Sequence, residues 1–307
     1  MSKTLDRLSL LETFVRIAER GSISSAARDL GLSQASASRH LQELESRFGQ
    51  QLMRRTTHSL ALTQAGLDLL RDARSLLSGW DAIQEKHADA DSAVRGPLKV
   101  VAPVALGQLY LADIAANFQM AHPEVSLTWN LNDLPIRFAE EGCDCWIRIG
   151  GVPDETLVVR EVGRVERLVV ASPGLVDEYG PVTQSSVSNL PFVALSPFEG
   201  GRISLQDTQG QGLAFEPRIS VATNNIFAVH RAVLKGAGAA ILPRWFVQRD
   251  LDAGRLTDIL PAWRAEELRI NAAYLPAGRQ PKRLSSFLQC VTEQVALVPG
   301  IGAPEPR

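Results

Sequence analysis

Between Gly21 and Phe48 the chain has room for only two short helices, and this stretch limits the fold more than any other. Ser22 can accept the free N–H groups that open the run Ile23-Ser-Ser-Ala-Ala-Arg-Asp-Leu30. As a helix, that run buries Ile23, Ala26, Ala27 and Leu30, and the paired alanines let another helix cross closely. Gly31 supplies a turn and Leu32 plugs the small core beneath it. Ser33 is the natural N-cap of a following helix that reaches about Phe48, with Ala37, Leu41, Leu44 and Phe48 inward and Ser36, Arg39, His40 and Glu43 on other faces. Ahead of both, Leu8, Leu11, Val15 and Ala18, widened by Phe14, predict a first helix ended by Gly21.

A helix that sinks into a DNA major groove needs short polar side chains in its first turn. Ser33, Gln34, Ser36 and Ser38, with Ala35 among them, meet that need. Gln34 has the amide to pair with an adenine edge, and Arg39 can reach a guanine or a phosphate. Then come Arg54, Arg55, Thr56, Thr57 and His58, followed by alternating Leu60 and Leu62. That order predicts a short hairpin wing whose basic, hydroxyl-rich tip, with Arg54, Arg55, Thr56 and His58, lies beside the sugar-phosphate backbone. Each residue alone has a plainer explanation, as a cap or a solvated charge. The ordered set of three helices, turn and wing does not.

Net charge is −2, which by itself argues against a nucleic-acid partner. Residues 1–66, however, carry nine Lys and Arg against six Asp and Glu, so this head is +3 and the remainder −5. A basic head on an acidic body is expected when one domain meets phosphate. Cys143, Cys145 and Cys290 are too sparse for a disulfide framework. Lys3, Asp6 and Arg7 interrupt any apolar leader, and no apolar run is long enough for a membrane span. The expectation is a reduced cytoplasmic protein with no membrane association.

Thr63 can cap a long helix through about His87, on which Leu69, Ala73, Leu76, Trp80, Ile83 and His87 alternate at spacings of four and three. That is a coiled-coil-like seam, with a helix lying on its own domain as the alternative. Asp89 to Pro97 has linker composition. The expected organisation is a head over 1–63, a linker helix over 64–91 and a body over 92–307. The body should form two lobes, the first about 92–165 plus 270–300 and the second about 166–269, joined by crossing strands near 162–170 and 265–275.

Strands are expected at Leu98–Ala102, Val125–Asn130, Cys143–Ile149, Leu168–Ser172, Phe192–Ser196, Ile219–Ala222, Ala239–Pro243 and Leu268–Tyr274. Helices are expected at 114–118, 134–141 and 284–295, so the sheet should be parallel with helices on both faces. Ligands in such sheets sit beyond the carboxyl ends of the strands. That selects Pro103, Val104, Ala105, Asn132, Arg148, Ser196, Phe198, Thr223 and Asn224, with helix N-termini offering N–H groups to a carboxylate. Arg148 falls on the Asp144 face, where an ion pair with Asp144 or Glu141 is the plainer role. Trp129 and Phe198 could flank an aromatic ring or be core. Gly236-Ala-Gly238 reads as a helix-to-strand turn. Cys143 and Cys145 fall on one buried face, no histidine lies near them, and no catalytic, metal or cofactor motif occurs, so no metal, cofactor or enzymatic activity is expected.

Residues 8–66 resemble the winged helix-turn-helix of the LysR-type transcriptional regulators almost throughout. Phe14, Gly21-Ser-Ile-Ser-Ser-Ala-Ala27, Leu32-Ser33-Gln34, Ser38-Arg39, Leu41, Leu44-Glu45, Gly49, Leu52, Arg55 and Leu62-Thr-Gln-Ala-Gly66 carry the resemblance. Ala35 departs from it where proline is common, as does Met53-Arg54 where Phe-Glu is usual. The body is similar to that family's effector domain through Asp144, Ile147-Arg-Ile-Gly150, Ala171-Ser-Pro173, Gly236-Ala-Gly238 and Ile241-Leu-Pro243. The resemblance implies an α/β multidomain chain: a winged helix-turn-helix, a long linker helix, and a bilobed α/β effector domain similar to type II periplasmic binding proteins. It further implies a homodimer through the linker helix on a pseudo-palindromic double-stranded operator, is compatible with a homotetramer, and places a small-molecule effector in the cleft. Two rival expectations stand beside it: a cytoplasmic small-molecule-binding protein or enzyme with a DNA-anchoring head, and an architectural DNA binder with an empty cleft.

Overall fold

A computed structural model describes residues 6–55, 60–87, 93–196 and 201–305. The head opens with α1 (Arg7–Arg20), α2 (Ile23–Asp29) and α3 (Gln34–Phe48). Side chains cap all three helices: Leu8 N–H donates to Asp6, Ser25 N–H to Ser22 Oγ and Ser36 N–H to Ser33 Oγ. The buried stripe of α1 is Leu10, Thr13, Phe14 and Ile17, while Leu11, Val15 and Ala18 line its margin. The expected stripe is therefore rotated, because α3 and the long helix over Gln64–His87 press on α1 from two sides and Phe14 is central. In α3 the inward residues are Ala37, His40, Leu41 and Leu44, whereas Phe48 is half exposed. His40 corrects the outward placement: its Nδ1 lies 2.8 Å from Thr13 Oγ1, a buried polar pair joining α1 to α3. Thr13 Oγ1 also bonds Ser9 O, at 2.7 Å.

Strands β1 (Met53–Arg55) and β2 (Leu60–Leu62) form the antiparallel hairpin after α3. Glu45 Oε1 accepts the Leu52 and Met53 N–H groups at 2.8 and 3.2 Å, so α3 fixes where the hairpin starts. Thr63 Oγ1 accepts from Gly66 N–H and caps α4 (Gln64–His87). A Cβ on Gly66 would collide with Leu52 O, which requires glycine at the joint. With 24 residues, α4 is about 36 Å long.

The body is a mixed sheet rather than the parallel one expected. Strand β3 (Gly96–Ala102) pairs in parallel with β4 (Val125–Leu131) and β5 (Cys145–Ile149). Two long strands, β6 (Val158–Ala171) and β13 (Trp263–Tyr274), then run antiparallel to each other and carry the chain between lobes. Because they pass between lobes in opposite directions, the sheet cannot stay parallel. On the far side β11 (Ala240–Pro243) runs antiparallel to β6 in this sheet, while β7 (Pro191–Leu195) and β10 (Arg218–Thr223) form a separate parallel pair. The hairpin of β8 (Ile203–Asp207) and β9 (Gly212–Phe215), the two-residue strands β12 (Thr257–Asp258) and β14 (Ile301–Gly302), and α8 (Pro173–Tyr179) complete the strands and the second lobe's outer wall.

The first-lobe core packs Leu98, Val100, Cys145, Ile147, Ile270 and Ala272 beneath α6 (Ala112–Ala121) and α11 (Lys282–Val295). The opposite face of the sheet holds Val101, Trp146, Ala273 and Cys143 under Phe138. Cys143 and Cys145 thus lie in different cores, a correction to the shared face expected, since β5 begins only at Cys145. The helix expected over 134–141 shortens to α7 (Phe138–Glu141), because Pro135 disfavours helix at Leu134. Two cores of the second lobe flank its strands, one around Phe192, Ile203 and Trp263 and one around Leu168, Val193 and Leu242.

Candidate functional sites

Helix α3 presents its first turn outward. Ser33, Gln34, Ala35 and Arg39 are exposed, with Ser36 and Ser38 half-buried. Gln34 and Arg39 make no side-chain hydrogen bond or ion pair among the described residues, so both remain available to base edges or phosphates. The capping hydroxyls of Ser33 and Ser36 bond each other at 2.8 Å, which stiffens the turn that carries Gln34. Met53 of the hairpin is buried and Arg54 exposed, as strand alternation requires. Arg55 holds the last ladder position, opposite Leu60. Its side chain, and the expected contacts Thr56 and His58, lie outside the described residues.

The stripe expected on α4 divides in two. Leu69 packs against the head's core and Ala73 is buried. Leu76, Trp80 and Ile83 keep 51%, 42% and 50% of their surface exposed, on a face that the chain itself leaves bare. The other side of α4 grips the rest of the molecule. Arg74 bonds Glu19 of α1 at 3.1 Å and lies so close to Gly142 that any side chain there would run into its guanidinium. Ser75 Oγ donates to Pro276 O, and Arg283 pairs with Asp81 at 2.8 Å. Asp144, expected beside Arg148, instead accepts Lys99 N–H at 2.8 Å. Burial raises its carboxyl above the ordinary value, against the opposing pull of that N–H, Arg283 and Arg74.

Among the effector candidates, Pro103 is the N-cap of α5 (Val104–Leu106), which continues through a π-helical turn (Gly107–Leu111) into α6. Ala105 is buried in the first-lobe core, which takes its methyl out of the cleft. Val104 N–H donates to Asp133 Oδ1 at 2.9 Å. At the second lobe, Asn225 caps α9 (Ile226–Leu234), its Oδ1 accepting from Phe227 and Ala228 N–H at 3.0 and 3.2 Å. Both helix ends expected to greet an effector carboxylate are therefore partly filled by the chain's own acceptors. Asp133 and Asn225 were missed, although each directly follows a chosen residue, because capping depends on where a helix starts.

Asn132 Oδ1 accepts from Leu134 N–H, and Ser196 N–H donates to Thr223 O, so each lobe organises its own strand ends. Asn224 is exposed, while Phe198 lies outside the described residues. Arg148 makes neither ion pair expected of it; its guanidinium lies 5.1 Å from the Trp146 ring centroid and its Nε is buried without an acceptor. Trp129 packs against the first-lobe core. The lobes meet instead at Tyr110 of the π turn, whose hydroxyl donates to Trp245 O of α10 (Arg244–Asp252) at 3.1 Å. Trp245, Phe246 and Phe227 continue this contact edge to face.

Burial, with Asp144 nearby, pushes the Cys143 thiol up to about 12, and burial likewise raises Cys145. Both are poor nucleophiles at neutral pH. No cluster of three metal-ligating side chains occurs among the described residues, and no described helix is long and apolar enough to cross a membrane.

Two family profiles match the chain: a bacterial regulatory helix-turn-helix of the lysR family over residues 8–67 and a LysR substrate binding domain over residues 91–296. The HTH-type transcriptional regulator PtxR of Pseudomonas aeruginosa is 29% identical over 305 residues, covering 97% of this chain and 98% of that protein. The HTH-type transcriptional regulator YhjC of Escherichia coli is 27% identical over 288 residues, covering 93% and 96%. In fold, the chain is similar to the crystal structure of ArgP from Mycobacterium tuberculosis, with a TM-score of 0.69 at 16% identity over 96% of this chain and 98% of that one.

Proposed function

The chain belongs to the LysR-type transcriptional regulators, and from that membership we propose that a cytoplasmic homodimer reads a pseudo-palindromic operator and changes its grip when a small molecule enters the cleft between the lobes. Its helix-turn-helix makes it a DNA-binding protein, and its relatives are described as regulators of transcription rather than enzymes. One observation carries the operator reading: the outward first turn of α3 with unpaired Gln34 and Arg39, together with the exposed Arg54 of the hairpin. Gln34 reads a base, Arg39 a base or phosphate, and Arg54, Arg55, Thr56 and His58 track the backbone. Two heads joined along Leu76, Trp80 and Ile83 would meet two half-sites. Pairs of such dimers would form the tetramer.

The two strands that join the lobes, β6 and β13, support the effector reading, because they allow the lobes to change angle. In this reading Pro103, Val104, Asn132, Arg148, Ser196, Phe198, Thr223 and Asn224 are the residues that meet the effector. Ala105 supports them from within the core. A ligand shifts the lobe angle only by binding one arrangement better than the other. The test selects genomic fragments on the purified protein, then titrates a selected fragment with and without compounds that raise the melting temperature. A shared two-part half-site, and one compound that moves both melting temperature and DNA affinity, are expected. Fragments without a common half-site would refute the operator, and compounds that stabilise the body without touching DNA affinity would refute the coupling.

A further inference from the structure

At the end of the second lobe away from the cleft, a cavity of about 610 Å³ opens between the start of α8 and the last turn of α9. Its lining brings together Arg231, Lys235 and Arg255 from two separate parts of the chain, with Ser172 among the other residues and Glu178 as the one acidic side chain. We propose that this cavity is an anion site, distinct from the interlobe cleft, that takes a small molecule bearing phosphate groups.

Three observations carry the proposal. Arg231 and Lys235 are exposed and make no side-chain hydrogen bond or ion pair among the described residues, so their charge is unspent. Arg255 is held in place, its Nε bonding Asp250 at 2.6 Å while His230 bonds the other oxygen of that carboxylate at 2.7 Å. The remaining N–H groups of its fork stay available for a second acceptor. Finally, three cations against Glu178 leave the lining residues at +2, and a positive excess of +1 remains once Asp250, the partner of Arg255, is counted, so the cavity favours an anion. Arginine forks match phosphate geometry, and the lysine adds a movable point charge. The volume lies within the range of small-molecule sites, about 300–1,000 Å³.

Cations near a helix C-terminus have a simpler use, since they complement the helix dipole. That use accounts for Arg231 and Lys235 but not for Arg255, which comes from the segment after α10. Nor do the Arg231 and Lys235 side chains bond the last carbonyls of α9 among the described residues, so the hydrogen-bonding capacity of both stays open to a ligand. The position gives the site a consequence. Helix α9 spans nine residues, about 13 Å, between the cavity and its Asn225 cap at the cleft. An anion at one end therefore holds the element that borders the effector at the other.

The experiment is calorimetric titration of the full chain with pyrophosphate, and with citrate to separate phosphate from carboxylate recognition. Three variants accompany it. Arg231→Ala with Lys235→Ala removes the unspent charge. Arg218→Ala with Arg249→Ala removes equal charge elsewhere on the same lobe, and Arg54→Ala controls for binding at the head. The expected result is one pyrophosphate per chain, an affinity at least tenfold weaker in the first variant, unchanged affinity in the other two, and weaker binding of citrate. Melting curves without anion should agree between the first variant and the parent, since neither side chain is bonded. Absence of pyrophosphate binding, equal loss in the Arg218–Arg249 variant, or loss on Arg54→Ala would overturn the proposal. Citrate binding as tightly as pyrophosphate would overturn the phosphate class.

Discussion

Replacing Trp80 with Asp should split the proposed dimer. Trp80 lies between Leu76 and Ile83 on the bare face of α4, where all three retain about half their surface. Fully burying a Leu or Ile is worth about 1.5–3 kcal/mol, so half-burial yields roughly 1 kcal/mol from each. A tryptophan buries about 150–250 Å² in all. The exposed 42% of Trp80, at about 25 cal/mol per Å², is therefore worth about 2 kcal/mol. In a symmetric pair each substitution counts twice, so Trp80→Asp forfeits about 4 kcal/mol, or roughly a thousandfold in dissociation constant. Facing carboxylates add repulsion. Sedimentation velocity over a concentration series reads the change directly. The variant monomer should keep its melting temperature measured at the same dilution, because Trp80 belongs to none of the buried cores. A dimer of undiminished affinity would refute both the placement of the seam and the sum. Affinity for a single half-site should meanwhile be unchanged, while affinity for a paired site falls.

Four further substitutions test other parts of the molecule. Gln34→Ala should cost about 1–3 kcal/mol at one base pair and relax specificity there, measured by competition between operator variants. Arg54→Ala should instead weaken binding on every sequence and reduce the salt slope by about 0.9, and an unchanged slope would remove the wing from the phosphate backbone. Thr13→Val leaves buried His40 Nδ1 without its partner and should cost about 1–3 kcal/mol in urea unfolding. Asp250 gives a pH signature. Burial raises its carboxyl, but hydrogen bonds from Arg255 and His230 outweigh that and hold it below the ordinary value of 3.8. Its stabilising contribution is present in full above the unfolded-state value and is lost as pH falls through the folded one. Unfolding curves of Asp250→Asn should therefore show a weaker loss of stability below about pH 4 than the parent.

The head was legible because its signals are local. Ser22 and Ser33 cap the helices expected of them, Thr63 caps α4, and each bond spans only three residues. What escaped was the facing of the helices. Periodicity chose Leu8, Leu11 and Val15, yet packing by α3 and α4 turned Leu10 and Ile17 inward and drew His40 in with Thr13. In the body, the buried strands were legible from apolar runs, whereas the β8–β9 hairpin, the short β12 and β14, and strand direction were not. Whether β6 runs with or against β13 depends on two segments nearly a hundred residues apart. The cleft was the least legible part. Residues at strand ends could be counted off, but Asp133 and Asn225 spend helix N–H groups only where each helix happens to start, and the Tyr110–Trp245 contact arises only once the lobes are set against each other.

The contact between Arg74, Glu19 and Gly142 bears on modularity. Regulators built from a reading head and a sensing body invite recombination, with a cut in the linker and a new head spliced on. Here such a graft would cross a joint whose three members come from three segments: the first helix, the linker and the loop before β5. A donor head lacking an acid at position 19 would orphan a largely enclosed guanidinium, and a recipient body with any residue but glycine at 142 would strain a left-handed backbone and push the Arg74 guanidinium away from Glu19. Chimeras should therefore be designed by matching these three positions rather than by choosing a splice point along α4.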